Sequence, residues 1–418
     1  MERDELRRYY NLCDPVEPLT TDDERYVQLD AYGTRGEELV VELAAEIELA
    51  GRPTARLVTG QRGVGLTTEL NRLSSRLRQR FGILVARIDA RDALDLTRPL
   101  DTLSVMIAVR ASIERAVSAD LATASAFRSG FWDVLRIGGD LAEGNGETRT
   151  PAWVEHVLHE NLLNPTFRKR VRARVEERFS TAVEEFRGDL ELLRAHVREA
   201  GWSDLFVIVD SLTHLQGVSD NAAEVERSAE EFFAREVASL DLPVHTLWTV
   251  PAFLLSRAPL TGLRVLPNVM IRTPEGVLVE EGLNALRDIV QRRVPLGMLP
   301  GLANTTHRDL AFDRLTAAWS GNLREVIRLL RTLILRAGSP RALERTVAEM
   351  TEERHLLVGR EERHLLRRVH EEHRLPDEDP RRVGELLTAG LVLAYRGDRE
   401  WYDIHPAMPD LLAEPSRV

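Results

Sequence analysis

The sequence predicts an α/β fold, a parallel sheet sandwiched by helices, followed by a small helical domain and a C-terminal unit of helices ending in a hairpin. Three observations lead there. Apolar runs of strand length at 55–59, from Ile83, at Asp204–Asp210 and at Val244–Val250 alternate with segments of helical periodicity, the pattern of strands buried on both faces. A glycine-rich turn joins the first of these strands to an amphipathic helix. Beyond about Pro274 the pattern is helical until LVLAY and WYDIH flank the polar turn Arg396–Glu400.

Taken in order, residues 1–35 carry Pro and Asp clusters and the tyrosines Tyr9, Tyr10, Tyr26 and Tyr32, and read as an irregular arm packed on a core, without a chemical site. Leu39, Val40, Leu43, Ala44 and Ile47 recur at helical spacing until Gly51-Arg52-Pro53 ends the helix. The strand at 55–59, the glycine turn with its helix, and ILVARIDA from Ile83 make a βαβ unit. From Leu100 to Ala200 the pattern is helical, broken by glycines between Gly138 and Gly146, and reads as an insertion within a core spanning 36–275. Strand character returns in DLFVIVD and VHTLWTV, with a helix at 223–238 between them. LNALRDIVQRR and AFDRLTAAWSGNLREVIRLLRTLILRAG form a helical lid over 276–338, and 339–418 has the outline of a winged helix.

Composition narrows the function. At 418 residues, 43% hydrophobic and 29% charged, the chain can bury a core large enough for two or three domains. No stretch approaches the roughly 20 apolar residues of a membrane helix, and MERDELRRYY is unlike a secretory leader, so a cytoplasmic protein without membrane contact is expected. Cys13 is the single cysteine, and no Cys/His cluster has zinc-ligand spacing. A formal charge of −11 argues against a whole-surface affinity for nucleic acid. Lys169 is the one lysine among 56 basic residues, so a lysine missing from a motif has no nearby replacement.

That matters in the glycine turn. Gly60-Gln61-Arg62-Gly63-Val64-Gly65-Leu66-Thr67, followed by Thr68, matches the phosphate-loop pattern G-x-x-x-x-G-K-[ST] at both outer glycines and the hydroxyl, with Leu66 where the lysine belongs. The glycines let backbone N–H groups curl around a phosphate, and the following helix offers the positive end of its dipole. A leucine supplies neither the hydrogen bond nor the charge that the lysine gives to the β- and γ-phosphates. Arg62 offers some charge from a different backbone position, with a planar fork in place of a point charge. Downstream, Asp210 ends a buried-type strand, where such sheets bind ligands, and is placed to hold Mg²⁺ through water. Ser211 follows where an acid that activates water often stands, then Thr213 and His214. His214 reads either as a substitute base or as a loop histidine without a role.

TGQRGVGLTTELNRL, LFVIVDSL, TLWTVPAFLL and WSGNLREVIRLL together resemble the Walker A, Walker B, sensor 1 and sensor 2 segments of AAA+ ATPases, closest to the signal-transducing (STAND-type) and origin-recognition-like branches. The resemblance covers roughly Gly36 to Gly338. It implies ATP or ADP with Mg²⁺ as ligand, Thr67 as the Mg²⁺-side hydroxyl, Asp210 as the Walker B aspartate, Thr249 at sensor 1 and Arg324 as the sensor 2 arginine. Leu66 and Ser211 depart from the pattern and point to impaired hydrolysis, a pseudo-ATPase.

In the C-terminal unit, Arg381 and Arg382 stand near the start of the candidate recognition helix, and Arg396 and Arg399 in the wing, where they can meet DNA phosphates. Asp377, Glu378, Asp379, Glu385, Asp398 and Glu400 share that neighbourhood, the mixed charge of a protein-facing surface. Trp401, Tyr402 and His405 are expected to pack the hairpin on its helices. Three functions stay open: a nucleotide-sensing regulator or scaffold acting on a protein partner, an ATPase rescued by Arg62 or by an arginine of a neighbouring subunit in a homo-oligomer, and a DNA-binding regulator.

Overall fold

The computed structural model describes residues 3–35, 39–121, 129–135, 151–218, 220–257, 260–295, 320–337, 339 and 341–408. The glycine break at 138–146 and the segment AFDRLTAA lie outside them.

The arm opens with helix α1 (Arg3–Leu12), and α2 (Leu39–Leu49) follows it. Strand β1 (Ala55–Gly60) leads through the glycine turn into α3 (Leu66–Phe81), which Gly82 ends in the left-handed conformation that L-residues avoid, its N–H returning to the Leu77 carbonyl. Strand β2 (Ile83–Asp89) is followed by α4 (Thr102–Leu121), α5 (Gly130–Leu135), α6 (Pro151–Leu163), α7 (Pro165–Val175) and α8 (Phe179–Glu199). Next come β3 (Asp204–Asp210), then α9 (Ala222–Glu231) running through a π turn (Phe232–Glu236) into α10 (Val237–Ser239), then β4 (His245–Val250) and β5 (Leu263–Leu266). Among the described residues, no helix is long and apolar enough to cross a membrane.

The five strands form one sheet in the order β2-β3-β4-β1-β5, every pairing parallel. Period-two alternation sorts the side chains between two layers. On β3, Leu205, Val207 and Val209 enter a core with the helices of 102–199, whereas Phe206 and Ile208 enter the opposite core with Leu43 and Ile47 of α2 and Leu70, Leu73 and Leu77 of α3. The helices between 102 and 199, expected as an insertion on the sheet, therefore form the layer that covers one of its faces. Strand β5 is an edge strand that the sequence reading did not include.

The lid contains α11 (Glu280–Gln291) and α12 (Leu323–Leu335) among the described residues. Asn322 caps α12, its side chain accepting from the Glu325 N–H. Among its described residues, the arm has α1 and a 3-10 turn at Leu29–Tyr32 and is otherwise irregular. Besides α1, it contributes Cys13, Val27 and Leu29 to the lid's own core, beside Leu286, Ile289 and Leu330, and Arg331 of α12 lies 4.2 Å over the Tyr10 ring.

The C-terminal unit comprises α13 (Ala342–His355), α14 (Arg360–Glu372) and α15 (Pro380–Thr388), then the antiparallel pair β6 (Val392–Arg396) and β7 (Glu400–Ile404). Trp401 stacks on Tyr395 at 4.7 Å and Tyr402 is buried, as a packing role requires. His405 does more than pack the hairpin, because its Nε2 meets Glu325 of the lid at 2.9 Å. Helix α15 is docked on the sheet domain: a Cβ on Gly384 would press against Phe253, and the Ser256 hydroxyl donates to the Pro380 carbonyl at 2.8 Å.

Candidate functional site

The turn after β1 lies at the carboxyl edge of the parallel sheet, beside the start of α3. Gly63 and Gly65 adopt φ of +94° and +90°, which a side chain would strain. At Gly63 a Cβ would also overlap Asn322, because the lid rests on the loop backbone: Arg324 N donates to the Gly63 carbonyl at 3.0 Å, and Asn322 Nδ2 to the Arg62 carbonyl at 3.0 Å.

A cavity with about 140 Å³ of water-accessible space opens here. Gly60, Arg62, Gly63, Gly65, Thr67, Thr68, Arg91, His214 and Arg324 line it together with Tyr26 and the apolar Val16, Pro18, Val27, Ile289 and Ile327. The loop's share of this lining is polar and cationic. The first-turn N–H groups of α3 have no intrahelical acceptors, and the helix dipole adds positive potential. Burial lowers the pKa of Arg62, and burial together with the charges of Arg62 and Arg91 lowers that of Arg324, the mark of guanidinium groups gathered without enough counter-charge. Burial, then the same three arginines, also lowers His214 and favours its neutral form. The apolar lining comes from the lid and also from the arm. The arm is tied across the loop: Leu19 N donates to Thr68 Oγ1 at 3.1 Å, Asn71 Nδ2 to the Leu19 carbonyl at 2.7 Å, and Arg324 Nε to the Pro15 carbonyl at 3.2 Å.

Of the expected site residues, Gly60, Arg62, Gly63, Gly65, Thr67, Thr68 and Arg324 thus surround one cavity. Leu66 turns largely inward, 8% exposed, into the core with Val58 and Leu70. Asp210 and Thr249 are not on the cavity wall. Thr249 is fully buried, its hydroxyl donating to the Val209 carbonyl at 3.3 Å and accepting from Leu212 N at 3.0 Å, so it shapes the turn after β3. Asp210 accepts from Ser211 N at 2.6 Å and from Arg87 Nη2 at 2.5 Å. The glycine loop and its neighbouring arginines are of the chemistry that suits an anion, but at the expected Mg²⁺ position the Asp210 Oδ2 is turned to the Arg87 guanidinium at 2.5 Å and is not an open donor to a cation.

Sequence reasoning also missed Gln61, which is 4% exposed and uses its whole amide. Its Nε2 donates to the carbonyls of Leu387 at 3.0 Å and Val392 at 2.6 Å, and its Oε1 accepts from Asn268 Nδ2 at 2.8 Å and Ala394 N at 2.9 Å. Asn322 Nδ2 reaches Asn268 Oδ1 at 3.1 Å. One buried amide network therefore joins the loop, the lid and the C-terminal hairpin. For Arg87 there was a signal, an arginine that follows four apolar residues of a strand and needs a partner when even part of it is buried.

No protein-family model matches the chain, and no curated protein matches it. Among solved structures it is similar to a Walker-type ATPase of Pyrococcus abyssi, at 15% identity and a TM-score of 0.43 over 96% of this chain and 100% of that one. It is also similar to Cdc6p from Pyrobaculum aerophilum, at 13% identity and a TM-score of 0.37 over 96% of each chain. Likeness at that level assigns no activity to this chain.

Proposed function

We propose that the chain is a regulatory nucleotide-binding protein of AAA+/STAND-like type with a degenerate Walker A loop, which holds ATP or ADP, hydrolyses it little or not at all, and acts on a protein partner through a C-terminal winged helix. The observation that carries this reading is that Arg62 and Arg324 line one cavity with the glycine loop and with apolar side chains of the arm and lid, whereas Arg91 in the same lining is already held by Asp89 at 2.5 Å. Backbone N–H groups and guanidinium forks suit phosphates, and the apolar side chains suit a base.

Turnover needs more than binding. Leu66 gives the β- and γ-phosphates no donor. Among the described residues, the carboxylates on the cavity wall are Glu17 and Glu69, and both are engaged, Glu17 with Arg25 at 2.6 Å and Glu69 with Arg72 at 3.1 Å, so neither is free to position a water. A protein partner is favoured over DNA because the arginines of α15 are already paired: Arg381 lies 3.3 Å from Glu385 and 3.6 Å from Glu226, and Arg382 2.9 Å from Asp379 and 3.1 Å from Glu362.

Arg62→Ala and Arg324→Ala test the phosphate contacts. Each is expected to weaken ATP binding about tenfold, roughly 1.4 kcal/mol, the scale of one charge-assisted hydrogen bond. Affinity unchanged in both variants would remove these arginines from the site and the reading with them.

A further inference from the structure

The carboxyl edge of the sheet carries an arrangement at odds with a metal-dependent nucleotide site. We infer that Arg87 is the resident counter-charge of Asp210, so that this site takes nucleotide phosphates without a divalent cation. The second half of that statement rests on the nucleotide reading above, and the first half does not.

Arg87 is the fifth residue of β2, paired in register with Ile208 of the neighbouring strand. Its guanidinium reaches three acceptors on two elements: Asn71 Oδ1 and the Thr67 carbonyl at 3.5 Å, both on α3, and Asp210 Oδ2 at 2.5 Å on β3. It thus bridges the first turns of α3 to the carboxylate expected to hold that ion, meeting Thr67 at its backbone carbonyl. The other carboxylate oxygen takes the Ser211 N–H at 2.6 Å. The Asp210 side chain is 3% exposed against 27% for Arg87, so the guanidinium covers the carboxylate from its open side.

A divalent cation that met Asp210 Oδ2 would displace Arg87 and leave its charge beside a carboxylate no longer free to pair with it, and one held through water would sit against that guanidinium. The cavity already carries Arg62, Arg91 and Arg324, and like charge opposes a further cation there. Arg62 and Arg324 can offset phosphate charge through their guanidinium forks, the task a metal ion performs elsewhere, whereas the Arg91 fork is taken by Asp89 at 2.5 Å.

The test has two arms, both on the full chain. In the first, ATP affinity is measured by calorimetry in Mg²⁺ and in EDTA. The wild type is expected to bind within about twofold in the two buffers, Arg87→Lys to do the same, and Arg87→Ala, which frees Asp210, to bind at least tenfold tighter in Mg²⁺. The second arm needs no ligand: denaturation midpoints of Arg87→Met, Asp210→Asn and the double variant form a cycle, and the double variant is expected to lose clearly less than the sum of the singles. An additive cycle, or wild-type binding at least tenfold tighter in Mg²⁺ than in EDTA, would overturn the inference. A coupled cycle with no ATP binding in either buffer would uphold the Arg87–Asp210 assignment and overturn its metal-independent binding together with the nucleotide reading.

Discussion

Leu66 occupies the position where a phosphate loop places its lysine, and its side chain completes the core beneath the loop while one edge meets the cavity. A lysine there can lay its stem along the same apolar surface and extend its amine to the cavity. Leu66→Lys is therefore expected to tighten ATP binding about tenfold, roughly 1.4 kcal/mol, while lowering stability by about 1–3 kcal/mol through lost packing. Calorimetry and thermal unfolding of the same sample measure both; unchanged affinity would mean that the loop does not cradle phosphate. Leu66 was legible in the sequence because the motif fixes its spacing. Arg87 as the partner of Asp210 was not, because a contact spanning 123 positions leaves no local pattern.

At the scale of elements, the start of the lid helix α12 is the joint between the loop and the C-terminal unit. Burial pushes the Glu325 carboxyl up, but the hydrogen bond and charge of His405, with Arg354 and Ser320, outweigh it and hold the group down at about 2 from an ordinary 4.5. The folded value lies below the unfolded one, so the carboxylate's contribution is present above pH 4.5 and is lost as pH falls through about 2, whereas burial lowers His405, so the part owed to its charge fades as that ring loses its proton at higher pH. Urea midpoints measured across that window are expected to fall with acid in the wild type and less steeply in Glu325→Gln, a difference on the order of 3 kcal/mol. Equal slopes would place the acid sensitivity elsewhere. The main helices and four of the five sheet strands were readable from apolar runs and glycine stops. Strand β5 escaped because LRVL is short, polar at its second residue and set at a sheet edge. The arm's docking left no local signal because it runs to α3, to Arg293 just beyond α11 and to α12, beside the local pairs of Arg25 with Asp23 and Glu17.

Across the whole molecule, Gln61 is the point where loop, lid and C-terminal unit share hydrogen bonds, so a shift of the loop on ligand binding cannot leave the other two unaffected. Gln61→Leu would leave the Leu387 and Val392 carbonyls, the Ala394 N–H and the Asn268 amide without that partner, at about 1–3 kcal/mol for each group left unsatisfied. Amide exchange in residues 380–404 is expected to quicken at least tenfold in this variant, with β2 and β3 little changed. Uniform slowing or no change would show that the network does not hold the C-terminal unit. This junction was not readable in the sequence, since a glutamine inside a glycine loop gives no sign that its partners lie more than 200 residues away.

The central claim is binding without turnover, and it is tested most directly by titrating the purified chain with ATP and ADP by calorimetry while following phosphate release on the same sample. Saturable binding that Arg62→Ala and Arg324→Ala weaken, with phosphate release at background, is the expected result. Phosphate release above background that Asp210→Ala abolishes would contradict it.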